Sequence, residues 1–117
     1  MHRDLRLTGE KSFLAVHQHG RSWANELLVL KVIPNSLGVT RFGFSVSKRV
    51  GGAVVRNRLK RRLRECIRLR RIKSGWDSIF IARREASSMN YHRLRKAVDS
   101  LLERAKLLDT PAVGDKS

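Results

Sequence analysis

Hydrolysis of a phosphodiester by side chains alone needs clustered carboxylates that hold metal ions, or two imidazoles placed as acid and base. Neither pattern is present in this chain of 117 residues. Its acids are scattered as Asp4, Glu10, Glu26, Glu65, Asp77, Glu85, Asp99, Glu103, Asp109 and Asp115, with no paired spacing. His17 and His19 stand two apart on an expected helix, hence on different faces, while His2 and His92 lie near opposite ends. Cys66 is the single cysteine, so neither a zinc-type cysteine pair nor an intramolecular disulfide can form. It falls within an apolar arc and reads as a buried structural thiol, with a reducing cytoplasm as the default compartment. Gly51-Gly52 is too short to count as a phosphate-binding glycine motif.

What the residues offer instead is charge. Lys and Arg number 26 against 10 Asp and Glu, a formal charge of +16. A surplus of that size on a small chain points to nucleic acid or an anionic membrane surface. The longest apolar stretch, near residues 27–33, is broken by Lys31 and falls far short of the roughly 20 residues of a membrane span. No charged start followed by an apolar stretch suggests a signal peptide. Membrane binding by a basic amphipathic helix favours aromatic residues on the wet side of its apolar face, and the basic segment has none.

That basic segment is the densest chemistry in the chain. Between Arg56 and Arg71, nine of sixteen residues are Lys or Arg, and Glu65 is the sole acid. Val55, Leu59, Leu63, Cys66 and Ile67 nevertheless keep helical spacing, so one face can dock on a core. Four like-charged pairs at i,i+4 (Arg56/Lys60, Arg58/Arg62, Lys60/Arg64 and Arg64/Arg68) would cost an isolated helix about 1–2 kcal/mol. Arg61/Glu65 is the one opposite pair at that spacing, so the repulsion is largely unrelieved. Such a helix is suited to a polyanion lying against it.

Around it, the apolar pattern predicts an α+β fold: a small central sheet covered by helices in an α/β sandwich, in the order α-β-β-(β)-α-β-α. A first helix starts at Thr8-Gly9-Glu10, with a hydroxyl near the N-cap, carries Phe13, Val16 and His17 on one face, and stops at Gly20. Strands follow at about 27–33 and 40–47, with an optional short strand around 21–25. In the second, Phe42, Phe44 and Val46 alternate with Arg41, Gly43, Ser45 and Ser47. Gly51-Gly52 makes a flexible entry to the basic helix over 53–71, residues 77–82 read as a buried strand, and an amphipathic helix runs from Tyr91 to Leu108. Residues 1–109 are expected to form one domain, with 110–117 a frayed tail.

At 100° per residue, the basic helix divides into an apolar seam and two basic flanks. Lys60, Arg64, Asn57, Arg68 and Arg61 form a ridge on one side, and Arg58 and Arg62 lie on the other. Two flanks can reach two phosphate paths. Asn57 suits a base edge or sugar hydroxyl, and equally suits the first turn of a helix. Phe13 suits stacking on an unpaired base, and equally suits the core. Ser45, Ser47, Lys48 and Arg49 bring further polar and basic groups to the helix entry, and Trp23 and Trp76 read as packing residues.

The run Gly43-Phe44-Ser45-Val46-Ser47-Lys48-Arg49, followed by Ala53-Val54-Val55-Arg56-Asn57-Arg58-Leu59-Lys60-Arg61, closely resembles the signature of the bacterial ribonuclease P protein component. The likeness extends through Leu7, Phe13, Val16 and Gly20, the strand from Asp77 to Arg83, and the final helix. It implies the protein subunit of a ribonucleoprotein that removes the 5′ leader of precursor tRNA, with RNA as the catalyst, Mg2+ bound mainly by that RNA, and a left-handed crossover in the fold. It implies RNA partners, the catalytic RNA and the leader, with no membrane and no obligate protein partner. By the same resemblance, Arg56, Asn57, Arg58, Arg61 and Arg62 bind the catalytic RNA. Phe13, His17, Lys31, Ser47, Lys48, Asn57, Lys60, Arg64 and Arg68 are the corresponding leader-binding set. Family members often carry aromatics where this chain has His17 and Lys31, so its leader contacts there are expected to be more electrostatic. A ribosomal or RNA-chaperone protein is the nearest rival, being equally small and basic. A DNA-binding regulator fits less well, because a strand rather than a helix and short turn precedes the basic helix.

Overall fold

The computed structural model describes residues 6–109; the expected tail at 110–117 lies outside them. Helix α1 spans Glu10–His19, strands β1, β2 and β3 span Arg21–Ala24, Leu28–Pro34 and Arg41–Ser45, and helix α2 spans Ala53–Arg68. Strand β4 (Trp76–Ala82), a 3-10 turn (Arg84–Ser88) and helix α3 (Tyr91–Arg104) follow. The strands form one mixed sheet in the order β1-β2-β4-β3, with β3 and β4 parallel and the other pairs antiparallel. Helix α2 is therefore the crossover between two parallel neighbours. Among the described residues, no helix is long and apolar enough to cross a membrane.

Strand alternation sends side chains to two unequal cores. On one face Leu28, Leu30, Val32, Phe42 and Phe80 pack against Leu59, Leu63 and Cys66 of α2 and Leu94, Val98, Leu101 and Leu102 of α3. Phe80 lies at the centre, stacked against Phe42 and Phe44 at 6.1 and 6.4 Å between ring centroids. On the other face Val16 of α1 is fully buried with Ile79 and Leu7, bordered by Phe13, Ile33 and Ile81. The result is a three-layer stack of α1, sheet, and the α2–α3 pair.

Several boundaries differ from the sequence-based expectation. The optional strand is real: β1 pairs with β2, and Asn25 makes the turn, its Oδ1 accepting from Leu27 and Leu28 N–H at 3.1 and 2.9 Å. Thr8 does not cap α1; Gly9 takes the N-cap position at φ 93°, where no side chain makes a cap bond and few side-chain-bearing residues can sit. Gly52 caps α2 from an extended backbone. The entry is thus a defined cap rather than a flexible hinge. Strand β3 ends at Ser45, two residues early, and α2 ends at Arg68.

The last helix stops at Arg104, four residues early, although Leu107 and Leu108 continue its apolar pattern. Lys106 adopts φ 60°, Leu107 N–H donates to Leu102 C=O at 2.9 Å, and Lys106 N–H donates to Glu103 C=O at 3.0 Å. This is a Schellman ending built without the usual glycine. Leu107 is thereby buried, and Leu108 bridges to Ile72. Tyr91, read as part of the apolar face, is 38% exposed instead.

Candidate nucleic-acid interface

Helix α2 positions its charges by burying the opposite stripe. Leu59, Leu63, Cys66 and Ile67 face the core, as their spacing requires, while Val55 is half-buried and Val54 is exposed. Burial and, more weakly, Asp99 push the Cys66 thiol up to about 11, so it is an inert packing group. The first turn of α2 carries no acid to offset its positive dipole end, and Ser47, Lys48 and Arg49 stand exposed just before it. The helix entry is therefore a concentrated positive field.

The two flanks have different neighbours. On one, the Arg64 guanidinium lies over the Phe44 ring, 5.6 Å from its centroid, which ties the Lys60/Arg64 side to strand β3. On the other, Arg62 Nη1 donates to Met89 C=O at 3.4 Å, which turns the Arg58/Arg62 side towards the 3-10 turn and α3. Arg56 folds back on the helix entry, donating from Nε to Gly51 C=O at 3.1 Å, whereas Asn57, Arg58 and Arg61 are exposed. Glu65 does not pair with Arg61. It takes Arg68 instead, one turn on at i,i+3, with N–O distances of 2.7, 3.1 and 3.2 Å. That pair relieves part of the repulsion and draws Arg68 off the Lys60/Arg64 ridge.

On the α1 face, Lys31, Ile79 and Gly43 stand side by side across β2, β4 and β3. Phe13 of α1 sits over Gly43 so tightly that a Cβ added there would lie 2.5 Å from Phe13 Cζ. His17 is exposed above β2, where its backbone carbonyl receives a long 3.5 Å contact from Lys31 Nζ. Phe13 and Arg64 thus flank β3 from opposite faces, with Ser47 and Lys48 at its end. Lys31 and His17 lie two strands away, about 10 Å across the sheet. The candidate leader set therefore divides into a group around β3 and a pair over β2. The alternation of Phe42 and Phe44 with Gly43 was the signal for a close approach on the α1 face, but it could not say which side chain arrives.

Two further carboxylates, Asp77 and Asp99, are held by arginines. Asp77 accepts from Arg41 Nε and Nη2 at 2.9 and 2.6 Å and from Asn35 Nδ2 at 2.8 Å. Burial alone would push the Asp77 carboxyl up, but these donors outweigh it and hold the carboxyl below its ordinary value. Asp99 takes Arg70 at 2.7 Å. Among the described residues, no group of three or more His, Cys, Asp or Glu is placed to hold a metal ion. A cavity of about 320 Å³ at the far end of α2 is lined by Asp99, Glu103 and Asp109 beside Arg70 and Arg71, a poor seat for a polyanion.

An α+β sandwich that presents one helix with two basic flanks, and pairs Glu65, Asp77 and Asp99 with arginines, has the surface of a polyanion-binding protein. The Ribonuclease P family model matches residues 1–106. The ribonuclease P protein component of Dehalococcoides mccartyi strain 195 is 45% identical over 103 residues, covering 88% of this chain and 86% of that protein. That of Roseiflexus castenholzii is 44% identical over 108 residues, covering 90% and 88%. The solved RNase P protein of Staphylococcus aureus is 31% identical with a TM-score of 0.84, covering 92% of this chain and all of that one. The Thermotoga maritima protein is also 31% identical, with a TM-score of 0.78 over 85% and 96% of the two chains. The chain belongs to the ribonuclease P protein component family: it is a protein subunit of the ribonucleoprotein that processes the 5′ end of tRNA. The ribosomal or RNA-chaperone reading is not favoured.

Proposed function

We propose that this chain works in the cytoplasm as an electrostatic clamp between two RNAs, the catalytic RNA subunit and the 5′ leader of precursor tRNA, with no obligate protein partner. The observation that carries this reading is the division of α2 into flanks with different neighbours, Arg64 over Phe44 and Arg62 towards Met89. The Lys60/Arg64 flank, with Phe13, Ser47 and Lys48 around β3, grips the leader. Lys31 and His17 extend that track over β2 by charge rather than by stacking. Arg56, Asn57, Arg58, Arg61 and Arg62 grip the catalytic RNA, and Asn57 at the helix entry serves both. Mg2+ is assigned to RNA phosphates, as the family resemblance implies. A dense positive surface lowers the repulsion between two RNAs and thereby strengthens substrate binding.

The reconstituted holoenzyme tests the division. Replacing Lys60 and Arg64 with Ala should weaken binding of leader-bearing precursor more than of mature tRNA. Equal losses on both would sink the leader assignment.

A further inference from the structure

The chain has four Phe, two Trp and one Tyr. Phe13 borders the α1-side core, and Trp23, Phe42, Phe44, Trp76 and Phe80 belong to or pack on the core beneath α2 and α3. Tyr91 alone stands outside both, 38% exposed at the start of α3. It belongs to neither buried cluster and does not cap the helix, because Asn90 provides the cap by accepting from Arg93 N–H at 2.9 Å.

Its surroundings are basic. Helices α2 and α3 run side by side in the same direction: Arg62 reaches Met89 at one level, and Arg70 reaches Asp99 further along. Tyr91 therefore opens the surface seam between them, close to Arg62 and followed one turn later by the exposed Arg95. Arg68 is held above its ordinary pKa chiefly by its hydrogen bond to Glu65, with Tyr91 as a minor contributor within electrostatic reach. Glu65 is engaged by Arg68 and Asp99 by Arg70, so neither acid neutralises Arg58, Arg62 or Arg95. A partly exposed aromatic side chain on a seam that carries guanidinium groups complements an unpaired nucleotide, whose base stacks while its phosphates meet the cations.

We propose that the α2–α3 seam seats one unpaired nucleotide of the catalytic RNA subunit, its base on Tyr91 and its flanking phosphates at Arg58, Arg62 and Arg95. The choice of RNA rests on assigning the Arg58/Arg62 flank to the catalytic RNA. The seam continues that flank and faces away from the Lys60/Arg64 side.

The test is equilibrium binding of the whole chain to the catalytic RNA and, separately, to a leader oligonucleotide. Tyr91→Leu should weaken catalytic-RNA binding about tenfold, since one base–aromatic stack is worth roughly 5- to 150-fold. Tyr91→Phe should bind within about twofold of the parent, because the ring and not the hydroxyl carries the stack. The salt dependence should be unchanged in both variants, as stacking releases no counterions, and so should leader binding. A urea midpoint for each variant separates lost contact from lost fold. The proposal falls if folded Tyr91→Leu binds the catalytic RNA like the parent, or loses leader binding equally. Arg58→Gln distinguishes the two readings. If it weakens catalytic-RNA binding while Tyr91→Leu does not, the flank stands and the nucleotide seat is wrong. If Tyr91→Leu alone weakens binding, the stack on Tyr91 stands, while the phosphate contact at Arg58 and the flank assignment fail.

Discussion

Replacing Gly43 with alanine should unseat the Phe13 ring. The added methyl would lie 2.5 Å from Phe13 Cζ and 3.1 Å from Cε1 and Cε2, so the ring must withdraw by about 1 Å to reach ordinary contact. Helix α1 is pinned by the fully buried Val16 against Ile79, so the half-buried Phe13 ring rather than the helix must move. Overpacking of this kind costs about 1–3 kcal/mol, a large share of the 5–15 kcal/mol typical of a domain. At about 4–8 °C per kcal/mol, the thermal midpoint should fall by roughly 8–16 °C for a 2 kcal/mol loss. Urea denaturation of four proteins, the parent, Gly43→Ala, Phe13→Ala and the double variant, isolates the contact. With Phe13 truncated, the three atoms nearest the methyl are gone, and Gly43→Ala should become neutral or gain about 0.4–1 kcal/mol from the stiffer unfolded chain. If Gly43→Ala is as costly without the Phe13 ring as with it, the close approach does not govern this position. Leader affinity of folded Gly43→Ala should also fall, because the displaced ring no longer lines β3.

Two further outcomes are expected. Asp77→Asn leaves the Arg41 guanidinium, 29% exposed, without its carboxylate, and should cost about 2 kcal/mol, less than the 3–5 kcal/mol of a fully buried pair. Because the folded-state pKa of Asp77 is depressed, its contribution is fully present above the unfolded carboxylate value near 3.9 and is lost as pH falls through the lower folded value. Acid unfolding of the parent should therefore flatten in Asp77→Asn, and an unchanged profile would contradict the linkage. If about seven phosphates are contacted, RNA affinity should fall with a log–log salt slope of roughly −5, and a slope near zero would exclude an electrostatic clamp.

Much of this protein is legible in one dimension because its signals are local. The seam of Leu59, Leu63, Cys66 and Ile67 follows from helical period alone, since a helix rich in guanidinium groups has no other face to bury. The alternation across Phe42 and Phe44 marks β3, and the Gly43–Arg49 and Arg56–Arg58 runs carry the family resemblance. Less legible were the ends. The αL turn at Lys106 depends on Leu107 finding a buried seat and on Lys73 N–H donating to its carbonyl at 2.8 Å, contacts made by residues distant in sequence.

Composition and period by themselves determined that this is a small α+β chain with a basic, non-nucleophilic helix made for a polyanion. Only the tertiary structure decided where each charge points. Two alternatives for Glu65, Arg61 at i,i+4 and Arg68 at i,i+3, differ by one residue on the same helix, and the structure selects Arg68. It also places Arg64 on Phe44, Arg62 at Met89, Phe13 over Gly43 and Tyr91 outside both cores. A helical wheel records angles about one axis. Which neighbour occupies each angle is set by the sheet order β1-β2-β4-β3 and by the placement of α1 and α3 on opposite faces, and those are properties of the whole chain.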